Sequence, residues 1–287
     1  MKIKKMKKLS IYIMLLFSIT AFTSCEKEIP GYKGKEGVYF SVKEGTNQHL
    51  MSRWPFVPNS SVDFVKFSEN VIEYPVMVAI TGSIKDYNRT FNLEVNPDST
   101  SAVLGKHYEA VQREWTVPAG ANSVLITVRL KRTPDLQDTA VHLGLRLVAT
   151  KDFELSFPEW DAIPGLDDGV VVKRFDAGLH TLKINDIMVR PAVWFGSLQP
   201  GNRESGLFGV FTRRKMEFMM EHLGLKYEDF ASADVMPMAR AILIGSDASL
   251  ILKQRLEDKN PVLEDDGRLM FIGSVPWTSI IGVPYVP

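Results

Sequence analysis

The single cysteine of the 287-residue chain, Cys25, has the sequence context of a thiol that accepts a lipid. Five lysines lie within the first eight residues, and an apolar run from Leu9 to Phe22 follows them. The small residues Thr23 and Ser24 stand directly before the cysteine. The run of about 14 residues is too short for a membrane span, which needs roughly 20, and is typical of a secretory signal. We therefore expect residues 1–24 to be a cleaved signal peptide and Cys25 to be acylated. An ordinary buried cysteine after a transmembrane helix is the alternative.

The charged residues directly after the cysteine bear on where the protein is displayed. Glu26, Lys27 and Glu28 resemble the surface-export signal of lipoproteins from the Bacteroidota. They predict an outer-membrane protein that is held by its lipid and faces the cell exterior. The alternative is that these charges only solvate the tether and do not determine the location of the protein. In that case the protein can equally face the periplasm.

The charge and composition of the mature chain exclude some classes of partner. Without the five leader lysines, 29 basic side chains remain against 34 acidic ones, a net charge of about −5. A weakly acidic chain without a basic run is not expected to bind nucleic acid. With its only thiol acylated, the chain can form no disulfide. Stability must therefore come from core burial, which 45% apolar residues can supply.

The catalytic motifs that local sequence can reveal are missing. The chain contains no Gly-x-Ser-x-Gly elbow and no His-Glu-x-x-His pair. Its histidines lie far apart in sequence and are expected at the surface or in the core rather than on a metal: His49, His107, His142, His180 and His222. We expect no catalytic residue, no metal site and no cofactor.

Several carboxylates lie close together in sequence, which keeps a carbohydrate hydrolase open as an alternative. They are Glu159 with Asp161, Asp167 with Asp168, and Glu264 with Asp265 and Asp266. A glycosidase needs two carboxylates about 5–9.5 Å apart across a cleft, and neighbours in sequence do not establish that geometry. The sequences 167–169 and 265–267 both read Asp-Asp-Gly and favour turns over calcium sites.

Two tryptophans are the candidate ligand-binding residues. Trp54 and Trp160 have prolines nearby and are predicted to lie on loops, where flat rings can pack against sugar C–H faces. Trp115 and Trp194 are expected to be buried. The basic run 213–215 on a predicted helix is expected to form a solvated face.

The residues from Val38 to about Thr150 have the pattern of short β-strands. Val124, Ile126, Val128 and Leu130 alternate with polar positions and share one strand face. About seven such strands, separated by turn residues, predict an immunoglobulin-like β-sandwich.

The rest of the chain changes character. Helical spacing of apolar residues runs from Leu207 to Leu223, where Gly224 is placed as a C-terminal cap. A second helical stretch runs from Met238 to Leu256, with a possible break at Gly245. The predicted fold is mainly β with an α+β C-terminal region: an immunoglobulin-like β-sandwich followed by a small helix-containing domain. The predicted units are signal peptide 1–24, lipid-anchored linker 25–36, β-sandwich 37–150 and mixed C-terminal domain 151–287.

Several passages resemble a known family. Residues 103–108 (VLGKHY), 117–120 (VPAG) and the strand from Val124 resemble a Calx-β-like sandwich module. Together with residues 183–186 (KIND), 191–194 (PAVW), 207–215 (LFGVFTRRK) and the lipoprotein start, they resemble the DUF4843 family of Bacteroidota lipoproteins over nearly the whole mature chain. His107 stands where such modules often have Asp, which weakens a calcium interpretation of that turn.

The resemblance implies an outer-membrane lipoprotein without established catalytic residues, of a kind often encoded beside SusC/SusD-like nutrient transporters. We expect a non-catalytic accessory protein that binds a glycan or peptide, or acts as a scaffold, in such an uptake complex. The alternatives are an unrecognised carbohydrate-active hydrolase and a structural cell-surface or adhesin subunit.

Overall fold

The computed structural model of the protein describes residues 34–45, 48–161 and 174–287. Cys25, the predicted leader and most of the linker lie outside these ranges, as do Asp167 and Asp168. The strands are β1 Gly37–Phe40, β2 Asn59–Asp63, β3 Val71–Thr81, β4 Arg89–Val95, β5 Glu114–Val117, β6 Ser123–Lys131, β7 Val141–Val148, β8 Glu154–Leu155, β9 Leu179–Asn185, β10 Gly196–Gln199 and β11 Arg203–Gly206. The α-helices are α1 Arg213–Leu223 and α2 Met238–Glu257, and 3₁₀-helices span Gln48–Arg53, Phe64–Lys66, Pro97–Ser99, Pro134–Gln137 and Tyr227–Phe230.

Nine of these strands form a β-sandwich. One sheet has the order β6-β3-β1-β8 and the other the order β2-β9-β7-β4-β5. Neighbouring strands are antiparallel except for β1 with β8 and β2 with β9, which are parallel. The alternation predicted for β6 is present, because Ile126, Val128 and Leu130 are buried in the core while Leu125 is exposed. The predicted fold class, a mainly β protein with a sandwich and a helix-containing C-terminal region, is confirmed.

The sandwich extends past residue 150, where the sequence placed its end. Strand β9 pairs with β7 on one side and with β2 on the other, so it lies inside the five-stranded sheet. Its inward positions are His180, Leu182 and Ile184, all fully buried. The sequence predicts a strand from Thr181 to Val189, and the structure has it at Leu179–Asn185 as a member of the sandwich. The C-terminal region therefore begins after Asn185.

The C-terminal region has its own core. The β10–β11 hairpin and both helices surround a cluster that includes Trp194, Phe208, Met219 and Met270. As predicted, α1 ends at Gly224, whose φ of 64° is the left-handed conformation that glycine adopts without strain. Helix α1 begins only at Arg213, because Thr212 is its N-cap and accepts a hydrogen bond from the Lys215 N–H at 3.1 Å.

Helix α2 continues through Gly245 without the break that the sequence allowed. At this position the helix packs closely against the loop that contains Gly273. A Cβ added to Gly273 would lie 1.9 Å from the Gly245 carbonyl oxygen, so the contact requires glycine there. No helix in the described part of the chain combines the length and the apolar character needed to cross a bilayer.

Asp186 joins the sandwich to the C-terminal region. Its side chain is fully buried directly after β9. Arg213 of α1 donates one hydrogen bond to the Asp186 carbonyl at 2.6 Å and another to its carboxylate at 2.7 Å. Arg132, which follows β6, places Nε 3.6 Å from the other carboxylate oxygen. This arrangement, the Asp186 clamp, holds α1 against the end of both sheets.

His180 makes the stability of the sandwich depend on pH. Burial lowers the pKa of His180 from 6.5 to about 4, whereas the unfolded chain keeps the ordinary value. The unfolded state therefore binds more protons between these pH values, and stability falls as the pH drops from 6.5 to 4. We expect this histidine to contribute up to about 3 kcal/mol of that loss.

The substitution His180→Gln removes the titrating group. Urea unfolding between pH 4 and 7 should show a shallower pH dependence of the free energy of unfolding than in the wild type. His142→Gln changes an exposed histidine on β7 and is the matched control. Equal slopes for wild type and His180→Gln would contradict the prediction.

Candidate ligand-binding site

Five partly exposed aromatic rings meet beside the four-stranded sheet and form what we call the aromatic cluster: Tyr39, Phe56, Phe157, Trp160 and Phe175. Trp160 is at its centre. Its ring centroid lies 4.7 Å from Phe56, 5.0 Å from Phe157 and 6.4 Å from Phe175. The structure therefore places one of the two predicted ligand-binding tryptophans in a surface group of rings.

The backbone fixes the positions of these rings. Tyr39 points outward from β1 because its neighbours Val38 and Phe40 are in the core. Trp160 and Phe175 exchange backbone hydrogen bonds of 2.6 and 3.2 Å. Next to this pair, Arg174 donates to both carboxylate oxygens of Asp161 at 2.7 and 2.9 Å. The hydrogen bonds to Asp161 raise the pKa of Arg174, so this bidentate pair stays charged.

Phe157 has an unusual backbone conformation for its residue type. Its φ is 53°, in the left-handed region that bulky side chains rarely adopt. The conformation costs about 1–2 kcal/mol, and the hydrogen bond from the Ala177 N–H to the Phe157 carbonyl at 3.0 Å holds it. It presents the ring edge-on to Trp160 with 39% of the residue exposed. Strained residues concentrate at binding sites, which makes this surface a candidate.

A cavity of mixed apolar and polar lining adjoins the aromatic cluster. Its volume is about 420 Å³, and Phe175 lines it as well as contacting Trp160. The other lining residues supply hydrogen-bond donors and acceptors around apolar groups: Pro58, Asn59, His142, Asp176, Leu179, Thr181 and Lys183. Asp176 is oriented by an ion pair with Arg146 and accepts a hydrogen bond from the Gly178 N–H at 2.8 Å. Aromatic faces beside oriented polar groups are the chemistry that recognises sugar rings.

The other tryptophans have different surroundings. Trp54 lies on the loop that leads to Phe56, and its ring packs over the backbone of Gly45. Trp194 is buried as predicted and donates from Nε1 to the Gly209 carbonyl at 2.8 Å. Trp115 is only partly buried. Sequence reasoning missed Tyr39, Phe56, Phe157 and Phe175, because no spacing links four aromatics that come from separate segments.

A group of buried charged side chains lies inside the C-terminal region. We call it the ionic cluster, and it comprises Glu204, Lys215, Glu264 and Arg268, all buried. Lys215 contacts Glu204 and places Nζ 3.5 Å from Glu264 Oε1. Arg268 Nε lies 3.2 Å from Glu204 Oε2, which also accepts from the Ser279 hydroxyl at 2.7 Å.

Burial and mutual contact shift the pKa values within the ionic cluster in different directions. Burial lowers the pKa of Lys215 and raises that of Glu264. Burial also acts to raise the pKa of Glu204, but the Lys215 ammonium and hydrogen bonds outweigh it and keep that pKa below the ordinary value. The predicted solvated face of residues 213–215 is wrong for Arg213 and Lys215. Both are held by carboxylates distant in sequence, which local spacing cannot reveal.

The carboxylates of the ionic cluster bear on the hydrolase alternative. The side chains of Glu204 and Glu264 are 0% and 1% exposed, so their oxygens face Lys215, Arg268 and nearby donors rather than solvent. Asp265 and Asp266 form the predicted turn, closed by the hydrogen bond from the Gly267 N–H to the Glu264 carbonyl at 2.9 Å. Within the described ranges, no group of three His, Cys, Asp or Glu residues is arranged to hold a metal ion.

Removal of the lysine cation tests whether the ionic cluster stabilises the fold. Lys215→Met removes one of the two cations that contact the buried carboxylates Glu204 and Glu264, and we expect a loss of about 3–5 kcal/mol in the free energy of unfolding. The adjacent Arg214→Met is the matched control, because Arg214 pairs with Asp265 at the surface, and it should change stability by less than about 1 kcal/mol. Chemical denaturation at pH 7 measures both values. A similar loss for the two variants would contradict this role.

Comparison with known proteins supports the resemblance seen in the sequence. Residues 32–164 match the model of a family described as a domain of unknown function, DUF4843. The resemblance to DUF4843 is confirmed for this segment. The passages from Lys183 onward lie outside the matched residues, whereas Trp160 and most of the sandwich lie within them. No curated protein matches the chain significantly.

Similar solved structures include the apo form of the Calx CBD1 domain. That domain is 14% identical, with a TM-score of 0.34, and the similarity covers 53% of this chain and 97% of the domain. A structural-genomics protein of unknown function from Bacteroides ovatus is 13% identical, with a TM-score of 0.31. In that case 53% of this chain and 46% of the other are covered, so this chain spans less than half of its length.

Proposed function

We propose that the protein is a lipid-anchored, non-catalytic accessory protein that binds glycans at the aromatic cluster. One observation carries the proposal: Trp160 stands among four other partly exposed rings, and one of these, Phe175, also lines a cavity of about 420 Å³ that has both apolar and polar side chains in its wall. The rings offer apolar faces to sugar C–H groups. The polar residues of the cavity offer partners to sugar hydroxyl groups.

The geometry favours weak binding to a surface rather than enclosure of a small molecule. The rings of Phe56 and Phe157 meet Trp160 edge-on, so an incoming sugar contacts a rim of rings instead of one broad platform. A ring edge offers a sugar less apolar contact area than a ring face, so each contact contributes little. We expect dissociation constants near the millimolar range, which corresponds to about −4 kcal/mol. Such affinities suit a protein that holds polymers for a neighbouring transporter.

The location and partners in this proposal rest on the sequence. The lipid on Cys25 would hold the folded part at the outer membrane, and residues 26–28 favour the cell surface. There it would serve a SusC/SusD-like uptake complex. A structural or adhesin subunit is the alternative assignment for a protein with this anchor. Co-purification with a TonB-dependent transporter from native membranes would favour the uptake role.

A non-catalytic role is supported by the state of the carboxylates. Glu264 has a raised pKa, as a general acid requires, but its side chain and that of Glu204 are enclosed and bound to cations. The exposed pair Glu159 and Asp161 is engaged by Arg174 at 2.9 and 2.7 Å. In neither group do two carboxylates flank an open cleft, which glycoside hydrolysis needs.

Trp160→Ala tests the binding proposal. Loss of the central ring should weaken glycan binding about tenfold, equivalent to 1.4 kcal/mol. Glycan arrays identify ligands of the wild type, and calorimetry then compares the variants. Trp115→Ala removes a partly buried tryptophan from β5 in the other sheet and should leave affinity unchanged. If the wild type binds no host or plant polysaccharide, the glycan form of the proposal fails and a protein-scaffolding role takes its place.

Cys25→Ala tests the anchor. The wild-type chain should yield a mature N-terminus at residue 25 whose mass includes acyl groups, and the variant should lack them and leave the membrane fraction. Mass spectrometry of the purified protein measures both. An unmodified thiol in a fully soluble wild-type protein would contradict lipid anchoring. Protease shaving of intact cells separately distinguishes the extracellular from the periplasmic face.

A further inference from the structure

Strand β9 gives the cavity beside the aromatic cluster two distinct ends. Its outward positions Leu179, Thr181 and Lys183 all line the cavity. The Leu179 N–H donates to the Asp176 carbonyl at 3.1 Å, so this end of the strand adjoins Phe175 and the aromatic cluster. A strand rises about 3.3 Å per residue, which places Lys183 roughly 13 Å farther along the strand than Leu179. Lys183 therefore marks the end of the cavity that is remote from the rings.

The charges at the two ends differ in whether the protein already pairs them. At the Phe175 end, the Asp176 carboxylate forms an ion pair with Arg146, which stands opposite Leu179 on β7. At the other end, Lys183 is exposed and forms no ion pair with any residue that the structure describes. The charge that the cavity leaves available to a ligand is therefore positive.

The two strands that flank β9 do not neutralise Lys183. His142, which also lines the cavity, stands directly opposite Lys183 on β7 and adds a ring that can donate a hydrogen bond. On β2 the acidic residue is Asp63, and its carboxylate already has partners. Lys66 Nζ lies 2.7 Å from one of its oxygens, and the Ser61 hydroxyl donates to the other at 2.6 Å. The positive end of the cavity is thus not compensated by its own sheet.

We propose, building on the glycan binding proposed above, that this cavity selects glycans with an anionic substituent, a carboxylate or a sulfate, and that Lys183 recognises it. A ligand that contacts both Phe175 and Lys183 has to span the cavity, which an oligosaccharide can do. Thr181 and Asn59 face each other between the two ends and offer a hydroxyl and an amide to the sugar hydroxyl groups. The ligand class is therefore an acidic polysaccharide rather than a neutral one.

The net charge of the protein makes this selectivity a local property. An ammonium group binds a carboxylate or a sulfate through charge-assisted hydrogen bonds, which are about twice as strong as neutral ones. The mature chain has 29 basic and 34 acidic side chains, a net charge of about −5, so its overall field repels polyanions. A preference for an acidic polysaccharide therefore has to come from groups at the binding site, of which Lys183 is the uncompensated cation in the described wall of the cavity.

Polygalacturonate and its fully methyl-esterified form test the charge, because they share a backbone and differ at the carboxyl group. Calorimetry with the full chain at low ionic strength should give about fivefold tighter binding of polygalacturonate, the upper end for an exposed ion pair. Sodium chloride at about 0.5 M should remove most of this difference by screening. Dextran sulfate and dextran repeat the comparison for a sulfate, and the pair that shows the preference identifies the anion.

Two variants assign the preference to Lys183. In Lys183→Gln the ratio of the two affinities should fall to about one, and in Lys183→Glu the neutral polymer should bind more tightly than the charged one. Lys259→Gln is the matched control, because Lys259 is an exposed lysine after α2 that does not line the cavity. It should keep the wild-type ratio. Circular dichroism and thermal melting confirm that each variant is folded.

The outcomes separate this selectivity from glycan binding itself. Equal binding of the charged and neutral member of both pairs would overturn the anionic preference and leave glycan binding intact. An equal loss of preference in Lys183→Gln and Lys259→Gln would also overturn it, because the overall charge would then be responsible. A wild type that binds no polysaccharide, charged or neutral, would overturn the proposed glycan binding as well.

Discussion

The Asp186 clamp is the interaction on which the arrangement of the two parts of the molecule depends. A buried carboxylate costs several kcal/mol to desolvate, and it is tolerated only where cations and donors surround it. Arg213 and Arg132 supply those partners from α1 and from the end of β6. Because both cations lie against one carboxylate, the position of α1 is tied to the ends of the sheets. The ionic cluster then fixes the hairpin and the loop at residue 264 to the same helix, through Lys215.

The sequence predicted the sandwich where the pattern is local. Strands β6 and β7 alternate clearly, and the structure has them within one or two residues of the predicted bounds. The cap at Gly224 was also predictable, since it depends on the conformation of one residue. Strand order and the membership of β9 were not predictable, because they depend on pairing between segments far apart in sequence.

The candidate site was predictable only in part. Trp160 could be selected because prolines near it indicate a loop, but the four other rings of the cluster come from residues 39, 56, 157 and 175. Lys215 shows the opposite case. A cation next to two arginines indicates a solvated helix face, and only the tertiary fold brings two glutamates to it. Local composition therefore predicted that Trp160 lies at the surface, but it did not predict that Lys215 is buried in an ionic cluster.

The place of β1 in its sheet has a mechanical consequence. It is the first described strand after the segment that leads back to residue 25, and it lies between β3 and β8. Inter-strand hydrogen bonds run across the strands, so a pull along the chain from a tethered end loads the bonds to both neighbours together. Glu36, just before β1, adds ion pairs of 2.8 Å to Lys85 and to Arg89. If flow or a bound polymer pulled on a tethered molecule, the hydrogen bonds that join β1 to β3 and β8 would therefore be loaded in shear and would resist the pull.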